Sequence, residues 1–200
     1  CCTALRKFRS QIVLLDDGLQ HHRLKRNTNV VLLDARMKSE DWHLLPLGNL
    51  REPISGLKRA ELVLITHSNQ ADARKLEDIK DKVREINDEI EILEAEHEPT
   101  FYFDIFTSKK IPIKEIKGDV AVFSAIGEPE SFEQTLKDLD LNLKQVWRFP
   151  DHQEYTENNL RSLLEIRKDL PLITTYKDFV KFPPHWREIL QEKVYILFVD

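Results

Sequence analysis

The chain has 200 residues, 41% of them hydrophobic, and a formal net charge of −5. That is apolar material for one substantial core or two small ones, so the 32% charged fraction does not imply disorder, and the negative balance argues against a general nucleic-acid binder. No apolar stretch approaches the roughly 20 residues of a spanning helix and no signal peptide opens the sequence, so these residues are expected to be those of a soluble protein.

The sequence begins with Cys1 and Cys2, neighbours that are poor candidates for bridging each other or for holding a metal. It starts without Met and reaches an apolar run within a dozen residues, so an amino-terminal truncation is expected. That run is Ile12-Val13-Leu14-Leu15, followed by Asp16-Asp17-Gly18-Leu19-Gln20-His21-His22. Four consecutive β-branched and leucine residues predict a strand buried on both faces of a parallel sheet, with the two acids at its carboxyl end. In open α/β sheets that end faces the ligand crevice, where adjacent carboxylates can hold a magnesium ion against a nucleotide phosphate. An isolated Asp-Asp-Gly reads more readily as a mere turn after a strand.

Residues 21–29 form a basic, polar connection to Val30-Val31-Leu32-Leu33-Asp34, a second buried-type strand that also ends in a carboxylate. Residues 37–55 then carry Leu44-Leu45-Pro46-Leu47-Gly48 and Asn49-Leu50-Arg51-Glu52-Pro53, where prolines and glycines predict an ordered loop. Arg51 suits phosphate oxygens, with Glu52 holding its guanidinium or helping a metal shell; the bland reading is a surface pair of little energetic weight. A third buried strand is expected at Leu62-Val63-Leu64-Ile65-Thr66. Apolar spacing predicts a helix over 70–89, and strands follow at 90–94 and 100–105.

The Lys-rich stretch 107–117 is the candidate boundary. Beyond it, strands at 120–124, 143–149, 172–175 and 194–199 alternate with helices at 128–139, 156–168 and a Pro-broken 178–191. The expected organisation is α/β throughout. Residues 1–106 would be an incomplete P-loop-type parallel sheet domain, 107–117 a connector, and 118–200 a second small α/β domain whose last strand can return to the hinge. The chain's five glycines, at 18, 48, 56, 118 and 127, form neither a G-x-x-x-x-G-K-[ST] phosphate loop nor a G-x-G-x-x-G fingerprint.

Taken together, these motifs resemble those of the tetraacyldisaccharide 4'-kinases of lipid A biosynthesis. The matching pieces are Asp16-Asp17-Gly18-Leu19-Gln20-His21, Leu44-Leu45-Pro46-Leu47-Gly48, Leu50-Arg51-Glu52-Pro53, Ile126-Gly127-Glu128-Pro129-Glu130-Ser131-Phe132, Phe149-Pro150-Asp151-His152 and Thr174-Thr175-Tyr176-Lys177-Asp178. The resemblance implies a P-loop-type enzyme that transfers the ATP γ-phosphate, with Mg2+, to the 4'-hydroxyl of a glycolipid disaccharide acceptor. It assigns Asp16 and Asp17 to the metal, and Gln20, His21, Arg51 and Glu52 to the phosphate or substrate. His152 looks like the family's catalytic histidine, which would need the second unit to close on the first by hinge motion.

It further implies attachment of the intact protein to a membrane surface, at the cytoplasmic face of the bacterial inner membrane, through an amino-terminal segment, and no nucleic-acid partner. That segment, the phosphate loop with its lysine and a supporting aspartate would all lie upstream of Cys1, so these residues by themselves are expected to have little or no kinase activity. Tyr176 stands where the family pattern has Glu, and Leu19 where it has Phe. The rival reading is a non-catalytic α/β binding module, or a degenerate remnant of the same scaffold.

Overall fold

The structure is a computed structural model, and it describes residues 2–199. The chain divides into two compact units, one through His97 and one from Glu98.

The first unit opens with a short helix α1 (Cys2–Phe8) and contains three parallel strands, β1 (Val30–Asp34), β2 (Leu62–Thr66) and β3 (Glu91–Glu94), in the order β1-β2-β3. Helix α2 (Ala73–Arg84) starts where the Asp72 carboxylate accepts the Lys75 amide at 2.8 Å, three residues later than the 70–89 expected. It ends at Arg84, just before Asn87 and Asp88, residues that favour turns over helix. Its apolar stripe, Ile79 and Val83, is buried with Leu33, Val63 and Ile65 of the sheet.

Two expectations fail in this unit. The strands do not have both faces covered: Leu32 and Leu93 share a face with Leu64 and remain 63% and 46% exposed. Residues 12–15 are not a strand, and Ile12 and Leu14 are 79% and 91% exposed. The physical reason is the same. An apolar run becomes a strand only against a hydrogen-bonding neighbour, and among the described residues none pairs with 12–15 or with the outer edge of β1. Asp16 and Asp17 therefore sit in a turn rather than at the end of a central parallel strand.

The second unit is a six-stranded mixed sheet in the order β5-β4-β9-β8-β6-β7. Its strands are β4 (Pro99–Asp104), β5 (Lys109–Pro112), β6 (Gly118–Ser124), β7 (Leu141–Arg148), β8 (Leu172–Thr174) and β9 (Val194–Val199). β7, β6, β8 and β9 run parallel, and β4 lies antiparallel between β9 and β5. Helix α3 (Pro129–Asp138) crosses from β6 to β7, and α4 (Glu157–Arg167), capped by Thr156, from β7 to β8. Pro183 and Pro184 divide the remaining helical stretch into α5 (Tyr176–Phe179) and α6 (Trp186–Ile189).

Residues 107–117 are thus not a free connector. They hold β5 and a 3₁₀ turn, Ile113–Glu115, within the second sheet, and the division between units falls at 97/98. β4 belongs there too, because it pairs with β9 from Pro99↔Val199 to Asp104↔Tyr195. One core of this unit gathers Phe123, Tyr155, Leu160 and Leu190, and another Tyr102, Val122, Leu136 and Leu197. Burial raises the Tyr102 phenol to about 12.

Candidate active site

The loop carrying Asp16 and Asp17 meets the loop carrying Arg51 within the first unit. They border a cavity of about 660 Å³ whose lining includes Asp16, Asp17, Gly18, Gln20, Arg51 and Glu52. Val31, Leu33 and Trp42 supply apolar wall on the β1 side. Asp17 adopts a left-handed backbone, φ 52°, which aspartate tolerates better than most residues and which turns the chain sharply. Its carboxylate is ion-paired with Arg51, and both side chains remain more than half exposed.

Arg51 is delivered by a tight loop. Leu44 bridges to Leu50, the Leu45 amide donates to the Leu50 carbonyl at 3.0 Å, and the Leu50 amide to the His43 carbonyl at 3.0 Å. Gly48 is required there: a Cβ would overlap the carbonyl oxygens of Glu40 and His43. Glu52 does not hold the Arg51 guanidinium as expected. It accepts from Arg59 Nη2 at 2.6 Å, while its Oε1 is buried without a described partner. The reason is separation of the two side chains' directions: Arg51 reaches toward the acidic loop, and Arg59 comes back along the 3₁₀ helix Ile54–Arg59.

Of the expected site residues, Asp16, Asp17, Gln20, Arg51 and Glu52 line the cavity; His21 follows in the same loop and does not line it. His152 lies in the second unit, in the loop after β7, with φ 61° and its side chain 88% exposed. Asp151 Oδ1 accepts the His152 amide at 2.9 Å, and Asp151 Oδ2 stands 3.6 Å from His152 Nε2. Because β6, β7 and β8 run parallel, their carboxyl ends bring the loops of Gly127, Asp151-His152 and Thr175-Tyr176 to one edge of the sheet. Beneath them Asp178 is fully buried, accepting from the Ala125 amide (2.9 Å), Tyr155 Oη (2.9 Å) and Thr175 Oγ1 (2.6 Å). Burial first, and then the Asp178 charge, push the Tyr155 phenol up, so it stays a donor.

Sequence reasoning passed over two features. Arg26 lay in what read as a mere connection, and its guanidinium faces the backbone of the acidic loop. At the carboxyl ends of β1 and β2, Asp34 takes a two-point hydrogen bond from Arg36 (2.9 and 2.5 Å), with His67 Nδ1 at 3.3 Å. Burial raises the Asp34 carboxyl, but the Arg36 hydrogen bonds and the positive charges of Arg36 and His67 outweigh it and hold it below 3.8. The sequence signal for that cluster was the Asp ending β1.

No group of three or more His, Cys, Asp or Glu suited to a metal is present among the described residues. Two adjacent carboxylates do fit magnesium, which commonly takes only one or two protein carboxylates and completes its shell with water and phosphate. Asp16 and Asp17 are the pair that could hold it.

A family model described as tetraacyldisaccharide-1-P 4'-kinase matches residues 1–200, the whole chain. The chain belongs to that family. A tetraacyldisaccharide 4'-kinase of Elusimicrobium minutum is 60% identical over 197 residues, which cover 98% of this chain and 53% of the relative. Another, from Halothermothrix orenii, is 32% identical over 90% of this chain and 50% of its own length. Among solved structures, LpxK from Aquifex aeolicus in complex with ATP superposes with a TM-score of 0.61 at 26% identity, over 99% of this chain and 55% of that one. The chain spans about half the length of these tetraacyldisaccharide 4'-kinase relatives.

Proposed function

We propose that this chain is part of an enzyme that transfers the γ-phosphate of ATP to the 4'-hydroxyl of a tetraacyldisaccharide 1-phosphate. The observation that carries this reading is the convergence of Asp16, Asp17 and Arg51 on one cavity, in a chain whose relatives are kinases for that substrate and one of which was solved with ATP.

In such a transfer the 4'-oxygen bonds to the γ-phosphorus, the bond to the β–γ bridging oxygen breaks, and the hydroxyl proton leaves to a base. Positioning and charge neutralisation dominate the barrier. Magnesium, when bound at Asp16 and Asp17, would neutralise phosphate charge. Arg51 offers a guanidinium fork to phosphate oxygens, exchanging its Asp17 partner for the ligand. Gln20 supplies a polar contact beside it from the cavity lining, and Glu52 steadies the loop through Arg59. His152 assists removal of the hydroxyl proton. Four acyl chains keep the acceptor in a bilayer, so the enzyme works at a membrane surface, at the cytoplasmic face of the inner membrane; no helix among the described residues is long and apolar enough to cross one.

The test is steady-state kinetics in the enzyme that carries this sequence, beside a direct ATP-binding titration. Asp17→Ala is expected to abolish magnesium-dependent turnover, and His152→Ala to lower kcat roughly 10²–10⁴-fold with ATP binding nearly unchanged. Wild-type kcat and kcat/KM in His152→Ala would remove that residue from the chemistry.

A further inference from the structure

Arg26 is half-buried against the acidic loop and makes contacts that no ion-pairing role requires. Its Nη1 donates to the carbonyl oxygens of Gly18 (2.6 Å) and His21 (2.7 Å), and its Nη2 to that of Leu19 (3.4 Å). Its Nε donates to Asn29 Oδ1 at 2.6 Å. One guanidinium thus gathers three consecutive-turn carbonyls and fastens them to Asn29. A planar fork with five donors can do this; an ammonium on a flexible stem cannot reach the same set at once.

Asn29 carries the connection onward. Its Nδ2 donates to the Arg59 carbonyl at 2.8 Å and its amide to Glu61 Oε2 at 2.7 Å, while its carbonyl accepts the Glu61 amide at 3.1 Å. Arg59 in turn holds Glu52, the neighbour of Arg51, and Arg51 pairs with Asp17. The contacts close a circuit: acidic loop, Arg26, Asn29, Arg59, Glu52, and back through Arg51 to the acidic loop. Within it residues 16–22 have no strand or helix to hold them. Their backbone bonds are turn contacts, from the His21 amide to the Gly18 carbonyl, from the His22 amide to the Gln20 carbonyl and from the Leu24 amide just beyond to the His21 carbonyl, all 3.0 Å, and Arg26 also holds the Gly18 and His21 carbonyls.

We infer that Arg26 is a positioning residue: it sets the geometry of the loop that presents Asp16 and Asp17, acting through the loop backbone and touching no reacting atom. The part of this that concerns a metal rests on the function proposed above. Groups that orient metal-binding side chains in this indirect way commonly matter nearly as much as the ligands.

The experiment uses the ¹⁵N-labelled 200-residue chain, wild type, Arg26→Ala and Arg26→Lys, with two readouts: amide exchange, and Mn2+-induced broadening of the Asp16, Asp17 and Gly18 amide signals. Arg26→Ala is expected to speed exchange at His21 and Leu24 by about 10-fold or more, leave the β2 amides protected, and weaken Mn2+ binding by about 10-fold. Arg26→Lys should recover less than half of either loss. If Arg26→Ala unfolds the unit, seen as loss of β2 protection, Arg26→Lys decides on the same readouts. Unchanged loop exchange in the variants overturns the inference, and so does faster exchange with wild-type Mn2+ affinity, which would make Arg26 a brace only. If the wild-type chain shows no Mn2+ effect at Asp16 to Gly18, the metal assignment fails, while the exchange readout still decides whether Arg26 holds the loop.

Discussion

At the scale of single residues, the charged groups of this chain divide by whether their partners are fixed. Asp34 is held by a guanidinium from two residues away and is 28% exposed in its side chain, so its hydrogen bonds outlast solvent competition. Its folded-state pKa is depressed, so its contribution to stability is present above the unfolded value near 3.8 and is lost as pH falls through the folded one. Wild type is therefore expected to exceed Asp34→Asn by on the order of 1 kcal/mol at neutral pH, with the difference shrinking below about pH 4. Urea midpoints from pH 7 to pH 2.5 measure this. A difference that stays constant across the range would remove Asp34 as the source. Asp17 and Arg51 are the contrasting case, an exposed pair whose partners are free to exchange for a ligand.

Among the elements, the irregular ones carry the site and the regular ones hold it in place. The loop through Gly48 shows how tight that hold is. A Cβ at 48 meets backbone atoms that cannot yield, whereas a Cβ at Gly127 meets only Asp151 Oδ2 at 3.6 Å, an ordinary contact. Gly48→Ala is expected to cost about 1–3 kcal/mol by overpacking and to loosen the presentation of Arg51, while Gly127→Ala stays within about 0.5 kcal/mol of wild type. Denaturant unfolding of the two variants side by side tests it, and equal effects would refute the steric argument. The Asp178 anchor does similar work in the second unit with hydrogen bonds instead of packing. One carboxylate ties the end of β6, the Tyr155 ring and the start of α5 together.

For the whole molecule, the two units differ in how completely each covers its own sheet. The second has two cores and a six-stranded sheet whose first and last strands pair directly. The first has one core, three strands and a sheet face on which Leu32 stays 63% exposed. Residues 98–200 expressed alone are therefore expected to fold and melt cooperatively, and residues 1–97 alone to be markedly less stable and to bind a dye for exposed apolar surface. Circular dichroism melts and dye fluorescence of the two pieces measure this; a cooperative, dye-silent 1–97 beside an unfolded 98–200 would reverse the argument.

Much of this architecture is legible in the chain by itself, for a local reason. β1, β2 and β9 fall on apolar runs bounded by polar residues, α4 begins at a Thr that can cap it, and Pro183-Pro184 breaks the last helical stretch, all of which act within a few residues. The ordered motifs that resemble one kinase family were legible too, and the expectation of Asp16, Asp17 and Arg51 in one site came from that resemblance. Whatever depended on a distant partner was not legible. Residues 12–15 have the composition of a buried strand and, among the described residues, no ladder to join. Residues 109–112 look like a linker and become β5 because β4 is there to pair with. Glu52 holds Arg59 rather than its neighbour Arg51, and Arg26 turns from connection into strut once residues 18–21 fold back over it. Propensity and pattern are properties of a segment, but a hydrogen bond needs two ends. Only the tertiary structure decides where the second end lies.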